Sequence, residues 1–306
     1  MNDYQFSSGD LTADRRFAYA QGCAEEGDFA AAADLLRQAL EIAPLWPAGW
    51  FRLGEYLEKL DDISRAIDAY HHCCDLSAKD RFGARLKLAL LRGQKSNTPP
   101  LAYTEALFDE YAEKFDYALV ENLGYRVPQL LAACLEQHVP DIKFENAIDL
   151  GCGTGLMAGQ VRSRCRNLIG VDLSEKMLDQ ARAKNLYDSL EKADLLAALA
   201  TRTNTALIMA ADVFMYLPSL ADVMCATTNA LQGSGYFLFS VEKSKDGEDW
   251  ELLPSRRHAH SENYIRRLLE ENKFEILSLN EAPIRMDAGE ALIGLICLAR
   301  LKGNSQ

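Results

Sequence analysis

The stretch Asn146-Ala147-Ile148-Asp149-Leu150-Gly151-Cys152-Gly153-Thr154-Gly155 constrains this chain most. Ala147, Ile148 and Leu150 form a short apolar run of the kind found in a buried parallel strand. Glycines at three alternate positions, Gly151, Gly153 and Gly155, end that run. Glycine suits a sharp strand-to-helix turn because it adopts positive φ without a Cβ clash and lets a ligand approach the backbone. Leu156-Met157-Ala158-Gly159-Gln160-Val161 can open the next helix, whose first amides face back over the turn and favour an anionic group. Strand, glycine turn and helix start together describe a nucleotide-type pocket at a strand's C-terminal end. The dinucleotide pattern GxGxxG fails, because counted from Gly151 its last position falls on Leu156. No Walker A lysine follows Gly155 either.

Beyond the turn the chain alternates strands and helices. Residues 167–172 read as a second strand ending in Asp172, 17 residues past Gly155 (172 − 155). A carboxylate there can accept both hydroxyls of a ribose. An N-cap for a helix beginning near Ser174 is the alternative. Residues 190–195 read as a short third strand carrying Asp194, and 206–212 as a fourth. A turn at Gly233-Ser234-Gly235 precedes a fifth strand over 236–241. A helix over 264–272 leads to two adjacent strands, 274–279 and 292–298. This is the doubly wound α/β layout closed by a terminal antiparallel hairpin. Residues 243–261 form a polar insert holding Arg256-Arg257-His258-Ala259-His260. It reads either as a loop that receives an anionic substrate or as a solvated surface loop.

The first hundred residues are different. Two segments align with a shift of 34 residues, pairing Ala20 with Gly54, Asp28 with Asp62, Ala32 with Ala66 and Leu36 with Tyr70. Pro44 closes the first unit, and Ala78 holds that place in the second. Small residues would let two helices of a unit approach, with Leu36, Leu57 and Tyr70 filling the groove. This pattern resembles the tetratricopeptide repeat (TPR), with a helix pair per unit. Trp50-x-x-Leu53-Gly54 is close to that repeat's opening, from which Arg16 departs at the equivalent place. Residues 81–91 look like the first helix of a third unit, expected to cap the stack. So few repeats are marginal alone, so the arm is expected to pack on the rest of the chain. His71-His72-Cys73-Cys74 reads as successive positions around a helix rather than a metal-ligand set. Residues 93–100, polar and ending in Pro99-Pro100, read as a linker. The expected domains are therefore 1–98 and 99–306.

The run Asp149-x-Gly-x-Gly-x-Gly resembles motif I of class I S-adenosylmethionine (AdoMet) methyltransferases. Residues 107–116 resemble the opening helix of many small-molecule members. Gly124-Tyr125-Arg126-Val127-Pro128 resembles a run in predicted bacterial methyltransferases with N-terminal TPR repeats. The likeness extends over nearly the whole chain. It implies a Rossmann-like methyltransferase sheet behind an all-α TPR domain, with AdoMet as cofactor and S-adenosylhomocysteine as product. It also implies site roles. Asp149, Gly151 and Gly153 are the motif I residues, and Asp172 takes the ribose. Leu173 and Met177 flank the adenine, with Met177 as plain core the alternative. Asp194, next to Leu195, accepts the adenine amino group or is a solvated loop charge. Ala211 lies where the fourth strand's end lines the methyl-transfer site. Tyr111 and Phe115 cover the cofactor or are core aromatics. Arg126 pairs with the cofactor's carboxylate or with a structural acid. After the fourth strand comes Val213-Phe214-Met215-Tyr216-Leu217, not Asn/Asp-Pro-Pro-Tyr/Phe, which argues against a nucleobase amino-methyltransferase.

Methyl transfer from a sulfonium needs alignment and water exclusion, and a general base only for a protonated acceptor. His258, His260, Tyr216 and Asp212 are candidate bases, and none has a partner at a telling spacing, so the catalytic residue is unassigned. Three readings stand: a methyltransferase for a small molecule or a protein recruited by the arm, a catalytically silent AdoMet-binding adaptor, and an NAD-dependent oxidoreductase, opposed by Leu156. The arm points to a protein or peptide partner or to a homodimer. A net charge of -12 disfavours nonspecific nucleic-acid binding. Eight cysteines without a CxxC pair read as reduced thiols, and no metal set is apparent. No apolar run approaches the roughly 20 residues of a membrane span, and the polar start, Met1-Asn2-Asp3-Tyr4, lacks a signal pattern. The expected location is cytoplasmic.

Overall fold

The computed structural model describes all residues except 1–6, 95–98, 100, 113, 114, 118, 120–122, 246, 288 and 304–306. They form two compact units, Met1–Ala106 and Leu107–Gln306. Most of the expected linker, and residue 98 at the expected boundary, lie outside the described residues.

In the first unit α1 (Leu11–Glu25) pairs with α2 (Phe29–Ile42), and α3 (Pro47–Lys59) with α4 (Ile63–Leu76). The repeat's acidic turn residues are N-caps: Asp28 accepts from Ala31 N at 2.9 Å and Asp62 from Arg65 N at 3.3 Å. Such a cap contributes about 1 kcal/mol. Ala20, Ala32, Leu36, Leu57, Ala66 and Tyr70 are all buried in one core. A Cβ on Gly54 would lie 2.6 Å from the Tyr70 ring, so the absent side chain is what lets α3 and α4 close on that ring. Trp50 donates its indole N–H to Pro44 O at 2.8 Å, which ties down the connection from α2 to α3. α5 (Ala84–Leu91) adds Ala84 and Leu88 to the same core and packs on α4, as an end piece should. On α4, Cys73 is buried while His71 and His72 are exposed, so the four adjacent residues point different ways.

In the second unit, which takes over partway along α6 (Leu101–Tyr111), α7 (Val127–His138) leads into the sheet. There follow β1 (Phe144–Leu150), α8 (Leu156–Val161), β2 (Cys165–Asp172), α9 (Glu175–Lys184), β3 (Ser189–Lys192), α10 (Leu195–Ala200), β4 (Thr205–Ala210), α11 (Ala221–Ala230) and β5 (Leu231–Lys243). These five strands are parallel, in the order β3-β2-β1-β4-β5. The order reverses beside β1, which opens a crevice at the C-terminal ends of β1 and β4. Ile148 and Leu150 face one helical layer with Phe237 and Phe239; Ala147 faces the other, with Leu131 and Leu135 of α7 and Met157 and Val161 of α8. Every residue of β4 is buried, as expected of a central parallel strand.

After β5 come β6 (Trp250–Leu252), β7 (His258–His260), α12 (Glu262–Glu271), β8 (Phe274–Asp287) and β9 (Glu290–Leu301). β8 and β9 are the expected antiparallel hairpin, and β9 pairs antiparallel with β5. Two expectations are corrected. Gly233-Ser234-Gly235 is not a turn before β5 but a bulge inside it: the register with β4 jumps from Thr205↔Leu231 to Leu207↔Tyr236. A Cβ on Gly235 would meet Thr205 O at 3.0 Å, so glycine permits the close approach. The polar insert 243–261 is not one continuous loop either, since two short strands lie within it. β7 runs parallel to the end of β5, with Glu242 opposite Ala259, and β6 runs antiparallel to β7. Glu242 also pairs with Gly294 of β9, so β7 occupies the other edge of β5, in the lane of β4 beyond its end.

Gly54→Ala should destabilise the protein by about 1–3 kcal/mol through overpacking against Tyr70. Gly22→Ala, on α1 with nothing within 4 Å of its new Cβ, should instead stabilise by about 0.5–1 kcal/mol. Thermal unfolding of the two variants checks both signs.

Candidate functional site

Where β1 ends, the chain passes through Gly151, Gly153 and Gly155 at φ of +63°, +52° and +88°. All three lie in the left-handed region that a side chain disfavours. A Cβ on Gly151 would sit 2.6 Å from Val213 Cγ2, and one on Gly155 3.0 Å from Tyr187 Cε2. At Gly153 the nearest atom is Phe115 Cε1 at 3.8 Å. The turn is thus walled at both ends and faces an aromatic ring at its centre.

Asp172 fixes the turn to the end of β2. Its Oδ2 accepts from Gly153 N at 2.9 Å and its Oδ1 from Ser174 N at 2.8 Å. Burial raises this carboxyl above its ordinary value, against the backbone N–H donors that lower it. The cap of α9 is a separate residue, since Ser174 Oγ accepts from Met177 N at 3.1 Å. A carboxylate has about four acceptor directions, so Asp172 can hold two amides and still accept a diol.

Asp149 is 1% exposed. Its Oδ2 accepts from the Tyr187 hydroxyl at 2.7 Å, while Oδ1 is buried without a hydrogen-bond partner among the described residues. Burial pushes its carboxyl up to about 7; the Tyr187 hydrogen bond opposes this and the charge of Asp172 adds to it.

Two acids from the segment around the end of α6 reach this turn. Asp116 accepts from Thr154 Oγ1, and from Lys184 Nζ at 2.6 Å. Asp109 accepts from Ser174 Oγ at 2.5 Å. Phe108 packs edge-on against Phe115 at 6.0 Å and Tyr216 at 5.3 Å, centroid to centroid. Glu113 and Lys114 of the expected opening helix lie outside the described residues.

Of the residues chosen from the sequence, Asp149, Gly151, Gly153, Asp172 and Leu173 meet at the ends of β1 and β2. Ala211 is half-buried just past β4. Met177 is fully buried in α9. Asp194 is the N-cap of α10, accepting from Leu196 N at 2.9 Å and Ala197 N at 3.4 Å, with Leu195 half-buried beside it. Tyr111 is 53% exposed and Arg126 is exposed, its backbone N–H bound to Ile284 O at 3.0 Å.

The histidines are a correction. His258 and His260 are both 0% exposed, not on a polar loop. His258 Nδ1 donates to Met215 O at 3.3 Å; His260 Nε2 donates to Leu217 O and Pro218 O at 3.0 and 3.1 Å. Burial pushes each down to about 4, so both are neutral struts that hold the turn after β4. Asp212, at φ +60°, has its carboxylate against Arg285 at 2.7 Å. Arg285 also bonds Glu242, and Arg257 lies 3.7 Å from the same carboxylate. Burial alone would lower the Arg285 guanidinium, but Asp212 and Glu242 outweigh it and raise it. Sequence reasoning missed Tyr187, Glu242 and Arg285; Glu242 could have been noticed as an acid directly after the apolar run of β5, whereas Arg285 is one of four charged residues in β8.

Residues 148–239 match the family model described as a methyltransferase domain, and residues 13–56 that of a tetratricopeptide repeat. The chain is 40% identical over 94 residues to human methyltransferase-like protein 27, a stretch covering 30% of this chain and 38% of that protein. It is 36% identical over 110 residues to trans-aconitate 2-methyltransferase of Sinorhizobium fredii, covering 35% of this chain and 42% of that protein. The matches thus span about two fifths of the length of these curated relatives. Among solved structures, the 1,6-didemethyltoxoflavin-N1-methyltransferase of Burkholderia thailandensis has a TM-score of 0.52 at 16% identity, covering 65% of this chain and 89% of that one. A chain of the complex between the Haloferax volcanii Trm112 methyltransferase activator and a methyltransferase scores 0.53 at 15% identity, covering 64% and 97%. At such identities the likeness is one of fold. A methyltransferase-type α/β sheet behind tetratricopeptide-like helices is therefore what the chain contains.

Arg285→Met would leave Asp212 without its counter-ion and Glu242 with only the longer contact to Arg257; loss of about 3–5 kcal/mol in urea unfolding is expected. For Asp149 the folded pKa of about 7 stands above the unfolded 3.8. The folded state therefore holds the extra proton, and this group's contribution to stability falls as pH rises from about 4 to about 7. Asp149→Asn removes that loss. The difference in Tm between variant and wild type should open in the variant's favour across that window and level off above it.

Proposed function

We propose that the protein is an AdoMet-dependent methyltransferase whose cofactor lies across the glycine turn, with its acceptor near the ends of β4 and β5. The observation that carries this is the buried, partnerless Oδ1 of Asp149, set among a cluster of acids beside a glycine turn. A buried acceptor without a donor is costly, and a cationic nucleoside with hydroxyl and ammonium donors fits that chemistry. In this reading Gly151 and Gly153 admit the ligand, Asp172 accepts the ribose hydroxyls, and Asp149 receives an N–H donor. Leu173 lies along the adenine, while Asp194 and Leu195 bound the adenine end and Ala211 the methyl end. Met177 supports from the core. Tyr111 and Arg126 reach the ligand only if the segment they flank folds over it.

Bound AdoMet would supply an activated methyl group, displaced in line from its sulfonium as the acceptor bond forms. This chain's residues then align and dehydrate. Phe108, Phe115 and Tyr216 form an apolar wall, and His258 and His260 hold the turn carrying Tyr216 in place. A base is required only if the acceptor is protonated. With one nitrogen of each histidine on backbone carbonyls, the other buried away from solvent, and Asp212 on Arg285, a second reading keeps support: an AdoMet-binding adaptor without turnover. In either case the repeat arm would bind a protein or peptide, or a second copy.

Calorimetry should give micromolar AdoMet binding, no NAD binding, and at least a tenfold loss in Asp172→Ala. No AdoMet binding at millimolar levels would overturn both readings. Transfer of labelled methyl from AdoMet into a cell extract supports the enzyme; binding without transfer supports the adaptor.

A further inference from the structure

Tyr187 belongs to no motif. It follows α9, and its ring occupies the space left by two glycines: a Cβ on Gly155 would lie 3.0 Å from Tyr187 Cε2, and one on Gly170 of β2 2.9 Å from Cε1. Its hydroxyl is 2.7 Å from Asp149 Oδ2. The third glycine of the turn and a glycine inside β2, the latter shared with Leu190 and Cys152, thus make room for the ring, and its hydroxyl meets Asp149, the acid whose other oxygen is buried without a partner among the described residues. Resting on the function proposed above, we infer that Tyr187 is a positioning residue for the cofactor: it commits one oxygen of Asp149 and so leaves the other free for the ligand.

Burial and the adjacent Asp149 raise the Tyr187 phenol well above its ordinary range, so it stays a donor at any working pH. Donation to a carboxylate favours the ionised form. Among the described residues, the other titratable groups facing Asp149 are Asp172 and Cys165 from β2, Cys152 from the turn and Tyr125 ahead of α7. Among these Asp172 opposes ionisation of Asp149, and Tyr187 is the group that favours it. A cationic ligand needs Asp149 ionised, so Tyr187 extends cofactor binding to lower pH.

The test is AdoMet calorimetry on full-length wild type, Tyr187→Phe, Asp149→Asn and the double variant from pH 6 to 8.5. The ratio of Kd in Tyr187→Phe to wild type cancels the ligand's own titration. For a shift of one pH unit it should be about tenfold at pH 6 and under about twofold at pH 8.5. In the Asp149→Asn background the same substitution should change Kd less than about twofold. A ratio flat across pH, or an equal loss in both backgrounds, would overturn the role, since a packing defect acts that way. Circular dichroism establishes the fold first; should Tyr187→Phe fail to fold, Tyr187→Leu supplies an apolar side chain of smaller bulk without that hydroxyl. Absence of wild-type binding would instead sink the function itself.

Discussion

The Asp172 carboxylate accepts one amide from the glycine turn and another from the start of α9, and so ties β1, β2 and two helix starts together. These N–H groups lie past the strand ladders and ahead of the helical bonds, where a chain is otherwise short of partners. One acid fills that gap from a neighbouring strand. The backbone path through Gly151 and Gly153 at positive φ brings Gly153 N to 2.9 Å from the acid. An acidic side chain is costly to bury, and its raised carboxyl records the cost. The geometry is kept by two charge-assisted hydrogen bonds.

A second layer of acids reinforces the first. Asp109 and Asp116 hold the segment around the end of α6 to Ser174, Thr154 and Lys184, each of which belongs to or adjoins the turn and α9. Asp149 completes a set of four carboxyls around one glycine turn. Lys184, on Asp116, is a positively charged partner within this set, whereas Asp172 and Asp149 accept from backbone amides and a phenol. Such a field favours a ligand with positive charge and hydrogen-bond donors over a phosphate-rich one, whatever the helix start at Leu156 would prefer alone.

β1, β2 and β4 were legible because each is a short apolar run followed by glycine or an acid, and a 34-residue repeat marked the arm. Buried strands leave no other signature. What was illegible depends on partners distant in sequence. His258-Ala259-His260 sits in a polar stretch, and nothing local reveals that three carbonyls from residues 215–218 wait for its rings. Gly233-Ser234-Gly235 has the composition of a turn, yet the ladder resumes beyond it, which only the β4 partner decides. Tyr187 looked like any aromatic after a helix, because the glycines that receive it lie 17 and 32 residues upstream (187 − 170 and 187 − 155). The acids at 149 and 172 stood out because they end apolar runs, whereas Arg285 was lost among the charges of a long edge hairpin.

The lane shared by β4 and β7 has a consequence for how this sheet tolerates change. β5 outruns β4 by several residues, and its surplus length is sheathed by three residues of an inserted ribbon. Pruning that ribbon would bare the amides and carbonyls of Glu242 and Lys243 on that flank, and would strip the Met215, Leu217 and Pro218 carbonyls of their imidazole donors at the same stroke. A raw β-edge next to a loosened turn is a template for sticking to other chains. Relatives without the ribbon would therefore need a shorter fifth strand or some other shield at the same spot.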